Sequence, residues 1–227
     1  FMQSRLLKKD STQPITHIEF GGEFNNKKYH VTEDDYPEMM KLYYKHVIKP
    51  KREHHILERQ LTFKSDEKGP CLIDLDFQHS ADLKDRQYTM EDIDVFINLF
   101  LDEISKTFEL DDINFHVVVQ EKPSPRMITK GERTFLKDGI HISFMVGMES
   151  VHQQFIRQEV LKILSAKWKH ISSLNTMDDI YDKCIPTGTN CWLAPYSKKK
   201  DDVHSYKITK VYSVSYECDS DSWVKMT

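Results

Sequence analysis

Three short stretches of this chain carry residue types whose spacing suits joint chemistry. The first is Cys71–Phe77, reading Cys-Leu-Ile-Asp-Leu-Asp-Phe, with Asp74 and Asp76 one residue apart. On a strand, positions i and i+2 point to the same face, so both carboxylates project together while Ile73, Leu75 and Phe77 point the other way. Like charges held that close repel, and burial raises their pKa. A hard divalent cation, Mg²⁺ or Mn²⁺, resolves the conflict by taking oxygen ligands, and paired ions of this kind serve phosphoryl transfer. The plain alternative is a strand with one polar face in water. The second stretch, Lys137–Ser143, places Gly139, His141 and Ser143 on one face by the same alternation. A glycine before the histidine lets a ligand approach the backbone, and an imidazole beside a phosphate donates a hydrogen bond. A histidine on a sheet surface with an ordinary partner fits equally. The third stretch is Tyr181-Asp182, where spacing alone leaves Asp178 and Asp179 as equal candidates. It is followed by a Trp-containing turn at Asn190–Lys199, whose serine and lysines suit a triphosphate or a template backbone.

The elements that must position these residues follow from periodicity and punctuation. Ile15–Phe20 and Lys27–Val31 read as strands across a turn rich in Gly and Asn, and Thr32 reads as the N-cap of a helix reaching Ile48, ended by Pro50. His54–Phe63 and Cys71–Phe77 read as strands. After Thr89, Ile93, Phe96, Phe100, Ile104 and Phe108 fall on one helical face, widened by Val95, Leu99 and Leu101. Ile113–Gln120 reads as a strand, then a loop rich in Pro and Lys, then a strand over Gly139–Val146. Ser150 and Gln153 suggest a capping box for a helix with Val151, Phe155, Leu161 and Leu164 or their neighbours inward, and Lys207–Ser215 alternates as a last strand. From Cys71 the order is strand–helix–strand–strand–helix–strand, that of a ferredoxin-like or RRM-like sheet. The expectation is a single α+β domain. Within it, a small N-terminal α/β unit (1–68) packs on an RRM-like catalytic unit (69–216).

Composition bounds the function. The 227 residues carry a net charge of −4, so any grip on nucleic acid must be local rather than a bulk-charge effect. The basic stretches Lys49–Arg52 and Lys198–Lys200 are candidates, and a solvated face is the simpler reading of the first. No apolar run is long enough to cross a bilayer and the opening Phe1–Asp10 is too polar for a signal peptide, which points to an intracellular protein, cytoplasmic or nuclear. Four cysteines without any CxxC spacing suggest reduced thiols, with no disulfide framework and no zinc site. The abrupt opening and acidic tail read as a piece cut from something longer.

The three stretches taken in order (Asp-x-Asp, small-x-His, hydrophobic-Asp) resemble the archaeo-eukaryotic primase superfamily. Their wording is most similar to the primase domains of viral primase–helicases from large DNA viruses, and secondarily to eukaryotic primase–polymerases. The resemblance covers Leu57 to Ser215 and implies the archaeo-eukaryotic primase fold and DNA-templated nucleotide transfer. It implies that Asp74, Asp76 and Asp182 are the catalytic, metal-holding carboxylates for Mg²⁺ or Mn²⁺. Gly139 and His141 match the second motif, with His141 on the incoming nucleotide's phosphates and Lys137 assisting. Ser197 and Lys199 follow the aromatic Trp192 as the family's serine and lysine do, and Arg59 resembles an upstream arginine that reaches the triphosphate. One departure stands out: relatives often carry arginine after that aromatic, and here it is Leu193, with Lys198 or Lys200 as nearby cations. The implied partners are a single-stranded DNA template, nucleoside triphosphates, and a helicase in the same longer chain or as a separate protein. A viral source would place it in the host cell's replication compartment. Two other classes compete. A metal-dependent glycosyltransferase also uses Asp-x-Asp but does not account for Gly-x-His, and an RRM-like module would bind nucleic acid without catalysis.

Overall fold

A computed structural model describes residues 1–19, 27–55, 58–60, 67–187, 190–199 and 202–227, with the side chains of 54–66 outside the description. The turn at 21–26, Leu57, the remainder of the strand to Phe63, and Lys200 lie outside the described residues. In chain order the elements are β1 (His17–Glu19), β2 (Lys27–Tyr29), α1 (Tyr36–Tyr43), β3 (His54–His55), β4 (Glu58–Gln60), β5 (Lys68–Ser80) and α2 (Met90–Thr107). These are followed by β6 (Ile113–Glu121), β7 (Arg126–Lys130), β8 (Arg133–Glu149), α3 (Ser150–Lys167), α4 (Met177–Ile180), β9 (Cys191–Leu193), β10 (Ser197–Lys198), β11 (Lys207–Glu217) and β12 (Ser222–Met226). The class is α+β, as the sequence indicates. No helix among the described residues is long and apolar enough to cross a membrane.

The chain divides into two compact units, 1–62 with 189–208, and 63–188 with 209–227. The sequence suggested a division at 68/69 instead. Residues 189–208 fold with the N-terminal stretch because β9 pairs antiparallel with β4, and β10 pairs parallel with β3. The first unit holds a four-stranded sheet in the order β2-β1-β4-β9. Its small core gathers Tyr43, Val47 and Tyr196, and the Tyr43 hydroxyl donates to the Pro195 carbonyl at 2.6 Å. Burial pushes that phenol up to about 12. Glu53 meets Lys198 and Lys207 at 3.3 Å each and accepts from Ser205.

The second unit is built on a long sheet in the order β12-β11-β6-β8-β5, with β7 also paired to β8. The pairs β5/β8, β6/β8 and β7/β8 are all antiparallel. One face alternates inward: Ile73, Leu75 and Phe77 of β5 and Ile140 and Ile142 of β8 are buried against Ile93, Phe96, Ile97 and Phe100 of α2. Each such side chain contributes about 1.5–3 kcal/mol by leaving water. The helix begins after Thr89 as read from the sequence, and Thr89 caps α2 in a reciprocal box with Asp92.

Three expectations differ. The helix α3 starts at Ser150 and buries Leu164 as expected, but at its start the neighbouring face turns inward: Ile156, Arg157 and Val160 are buried, while Val151 and Phe155 are about half exposed. Ser150 is not its cap. Its hydroxyl donates to the Pro186 carbonyl and the Gln153 amide to the Met148 carbonyl, drawing that polar side of the helix inward. The stretch read as a loop contains β7, closed onto β8 by Gly131 at φ +59°, first of the two residues between the paired Lys130 and Arg133. A positive φ there is what a tight hairpin demands. Finally, β11 lies beside β6, whereas a ferredoxin-like sheet sets its last strand beside its first; β5 is thereby left at the end of the order.

Two tests follow. Arg86 lies 2.9 Å from Asp138, whose side chain is fully buried, and 2.7 Å from Glu121. Arg86→Met strands these carboxylates and is expected to lower the unfolding free energy by about 3–5 kcal/mol in denaturant melts. The two lysines and the Ser205 N–H outweigh burial and hold Glu53 below its ordinary value of 4.5. A depressed folded pKa contributes stability above the ordinary value, and that stability is lost as pH falls through the folded one. Glu53→Gln is therefore expected to lower the melting midpoint near neutrality, with the two proteins converging in acid.

Candidate functional site

The acids of the first motif stand on β5, where burial alternates from Ile73 to Ser80: Leu75 and Phe77 are fully buried, and Asp74 and Asp76 are partly exposed on the opposite face. Register fixes their neighbours. Asp74 lies opposite His141 and Asp76 opposite Gly139. The His141 Nε2 sits 3.5 Å from Asp74 Oδ1, and Lys137 Nζ 2.8 Å from Asp76 Oδ2. Gly139 faces an aspartate that also takes the lysine. The first two motifs therefore meet side chain to side chain, as their alternation indicates.

The third motif arrives along the outer edge of β5. The Asp182 N–H donates to the Asp74 carbonyl at 3.0 Å, and Tyr181 bridges to Leu75 in antiparallel sense. Further along, the Asn175 amide donates to the Asp76 carbonyl at 2.8 Å and accepts from the Gln78 N–H at 3.0 Å, so one side chain imitates a paired strand. The Leu174 N–H completes the series at the Gln78 carbonyl. Tyr181 is held by burial: it is 1% exposed and meets Phe96 edge-on at 5.5 Å. Arg157, reaching from α3, donates to the Tyr181 carbonyl and to both the carbonyl and the carboxylate of Asp178. The three acids that spacing left as equals are placed differently. Asp178 is paired with Arg157, Asp179 caps α4 through Thr176, and Asp182 is the acid on the β5 edge.

Divalent cations, implied by the resemblance, meet a donor set of the right chemistry in Asp74 and Asp76, two carboxylates on one face with Asp74 Oδ1 shielded from solvent. The Asp182 carboxylate accepts instead from the Cys184 N–H at 2.8 Å. Among the described residues no three His, Cys, Asp or Glu side chains gather at metal-ligand spacing. The two-carboxylate seat fits a cation, and the third carboxylate is adjacent through its backbone but turned to its own loop. A cleft of about 520 Å³ opens beside it, lined by Gln78, Arg133, Asn175, Asp182 and Lys183 among others.

The remaining candidates lie in the first unit. Ser197 is fully buried and its hydroxyl lies 3.1 Å from the Tyr43 hydroxyl, while Lys199 is exposed. Lys198, offered in place of the missing arginine, is engaged with Glu53. The backbone of Arg59 pairs with His17 and Trp192, and its side chain lies outside the described residues. Sequence reasoning missed Arg157, Asn175 and Gln120. Gln120 lies opposite His141 on β6, 2% exposed, with its amide oxygen buried and without a hydrogen-bond partner among the described residues. A glutamine ending the apolar run Val117–Val119 was the available signal.

Over 207 residues the chain is 25% identical to a protein of Acanthamoeba polyphaga mimivirus carrying the name "Putative helicase L207/L206"; the match takes in 90% of this chain and 20% of that protein. The chain thus spans about a fifth of that relative's length. Residues 16–212 match the family described as the C962R protein N-terminal AEP domain, where AEP denotes archaeo-eukaryotic primase. With all three motifs inside the matched span, the chain belongs to this family of archaeo-eukaryotic primase domains.

Proposed function

We propose that this domain is a DNA primase–polymerase: it transfers a nucleotide from an NTP or dNTP to a 3′-hydroxyl opposite a DNA template. The observation that carries the reading is the hydrogen bond from Asp182 N–H to the Asp74 carbonyl, which brings the third motif beside the first while His141 and Lys137 face the two aspartates. Asp74 and Asp76 would hold the cation, and Asp182, which here accepts from the Cys184 N–H, is the nearest further carboxylate to them along the β5 edge. Bound Mg²⁺ or Mn²⁺ acidifies the attacking hydroxyl and offsets charge on the phosphates.

The chain's own groups do the rest. His141 donates to a phosphate oxygen, and Lys137, released from Asp76, follows the charge that develops as the α-phosphorus gains one oxygen and loses pyrophosphate. Gly139 keeps the strand bare enough for the triphosphate to lie against it. Gln120 backs His141 from the next strand. Ser197, Lys199 and Arg59 are assigned to phosphate by the family resemblance alone. The mimivirus relative's name supports a helicase working with this domain, in a longer chain or as a partner. A nucleotide-sugar transferase would call for a parallel Rossmann-like half, and the sheet carrying Asp74 pairs β5, β6 and β8 antiparallel.

A template-directed assay with labelled nucleotides, with and without primer, in Mg²⁺ and Mn²⁺, tests the reading. Asp74→Ala and Asp76→Ala are each expected to abolish extension while leaving the circular dichroism spectrum unchanged. Wild-type extension by either variant ends the assignment, and metal-indifferent strand binding without any extension makes the domain a non-catalytic module. Lys137→Ala removes a pair in which both side chains are about one-third exposed, so its stability should change by less than about 1 kcal/mol. Its KM for nucleotide should rise, measured by steady-state extension.

A further inference from the structure

The face that carries Gly139 and His141 does not stop at Lys137. The β8 register runs unbroken from Phe144 down to Phe135 against β5, and from Lys137 to Arg133 against β7. Positions 133, 135 and 137 therefore share the side of 139 and 141, and antiparallel partners share a face, which adds 126, 128 and 130. The result is two cation pairs, Arg126 opposite Lys137 and Lys130 opposite Arg133, with Ile128 opposite Phe135 between them. None of these six positions is acidic. Of the hairpin's two acids, Glu132 lies at the turn, and Asp138 points to the other face, where it pairs with Arg86. In a chain of net charge −4, four cations in register on one face, one of them (Lys137) already meeting Asp76 at 2.8 Å, are a local exception.

A second observation leads the same way. Arg133 also lines the cleft beside Asp182, together with Lys183. Of the three acids on that cleft, Asp178 is matched by Arg157, while Asp179 and Asp182 keep their charge and accept from Thr176 and the Cys184 N–H.

We infer that the β7–β8 hairpin is a binding surface for a single DNA strand, whose backbone phosphates lie along the Lys130/Arg133 pair and Arg126 on the way to the carboxylates, where Lys137 is kept for the nucleotide. The two pairs are four residues apart, about 14 Å at roughly 3.4 Å per residue. That span is longer than one triphosphate and suits successive phosphates of a chain. The choice of ligand rests on the polymerase reading, while the test needs binding alone.

Binding of a fluorescent oligothymidylate to the full chain is measured by anisotropy over a salt series, for the wild type and for Lys130→Ala/Arg133→Ala. Both side chains are exposed, so the fold should persist, checked by thermal melting. Loss of two phosphate contacts should weaken binding and flatten the log K against log salt slope by about 1.4. Thermal stabilisation by a deoxynucleoside triphosphate with Mn²⁺ should stay unchanged. An unaltered slope and affinity overturn the proposal, as does no strand binding by the wild type, or a variant that loses nucleotide stabilisation while holding the strand. Asp74→Ala should still bind the strand. If the wild type never extends a primer yet the slope falls as stated, the surface stands and only the catalytic reading is lost.

Discussion

An open strand edge must be satisfied, and the manner in which β5 satisfies its own decides what this domain can do. A strand at a sheet's border presents N–H and carbonyl groups that seek partners. Here β11 takes the far side of β6, so the groups of Asp74, Asp76 and Gln78 are met instead by a returning segment that is mostly not a strand. That segment delivers an acid to the pair already on β5. The same backbone bonds that complete the sheet therefore assemble residues more than a hundred positions apart in the chain.

Two arginines make this closure stiff. Arg157 gathers the carbonyls at the end of α4, groups a short helix leaves unpaired, and so fixes the residue just before Asp182. Arg86 ties Asp138 to Glu121 and to the Lys122 carbonyl, locking the neighbours of Lys137 and of Gln120 on adjacent strands. Neither reaches toward the carboxylates. Both convert buried charge into fixed backbone, which a site needs if its groups are to stay in register while a charged ligand comes and goes.

How much of this the sequence reveals depends on whether the signal is local. Alternation in Cys71–Phe77 and Lys137–Ser143 is a property of the strand itself, and it places Asp74, Asp76, Gly139 and His141 on one side without any tertiary knowledge. The apolar stripe and cap of α2 are equally self-contained. By contrast, α3 has apolar residues on more than one side, and only the carbonyls of Met148 and Pro186 decide which turns inward. Asn175 passes for a loop residue until β5 lacks a neighbour there. Asp182 could not be separated from Asp178 and Asp179 by spacing, because what separates them is Arg157, a helix away. Short strands such as β7 depend on a glycine conformation that composition does not announce.

The discontinuous first unit has a bearing on biosynthesis. Its four-stranded sheet needs β9, and β3 finds its parallel mate only in β10, so 1–62 must wait until the ribosome has delivered the residues up to 208. Meanwhile the strands and helices from β5 to α4 emerge in between and have most of their own pairings within reach. Sequence-distant pairing of this sort slows folding, since the loop must close before any contact compensates for the lost chain entropy. The order of maturation runs from the middle of the chain outward, and a nascent chain stalled before β9 carries an incomplete sheet with an unsatisfied border at β4.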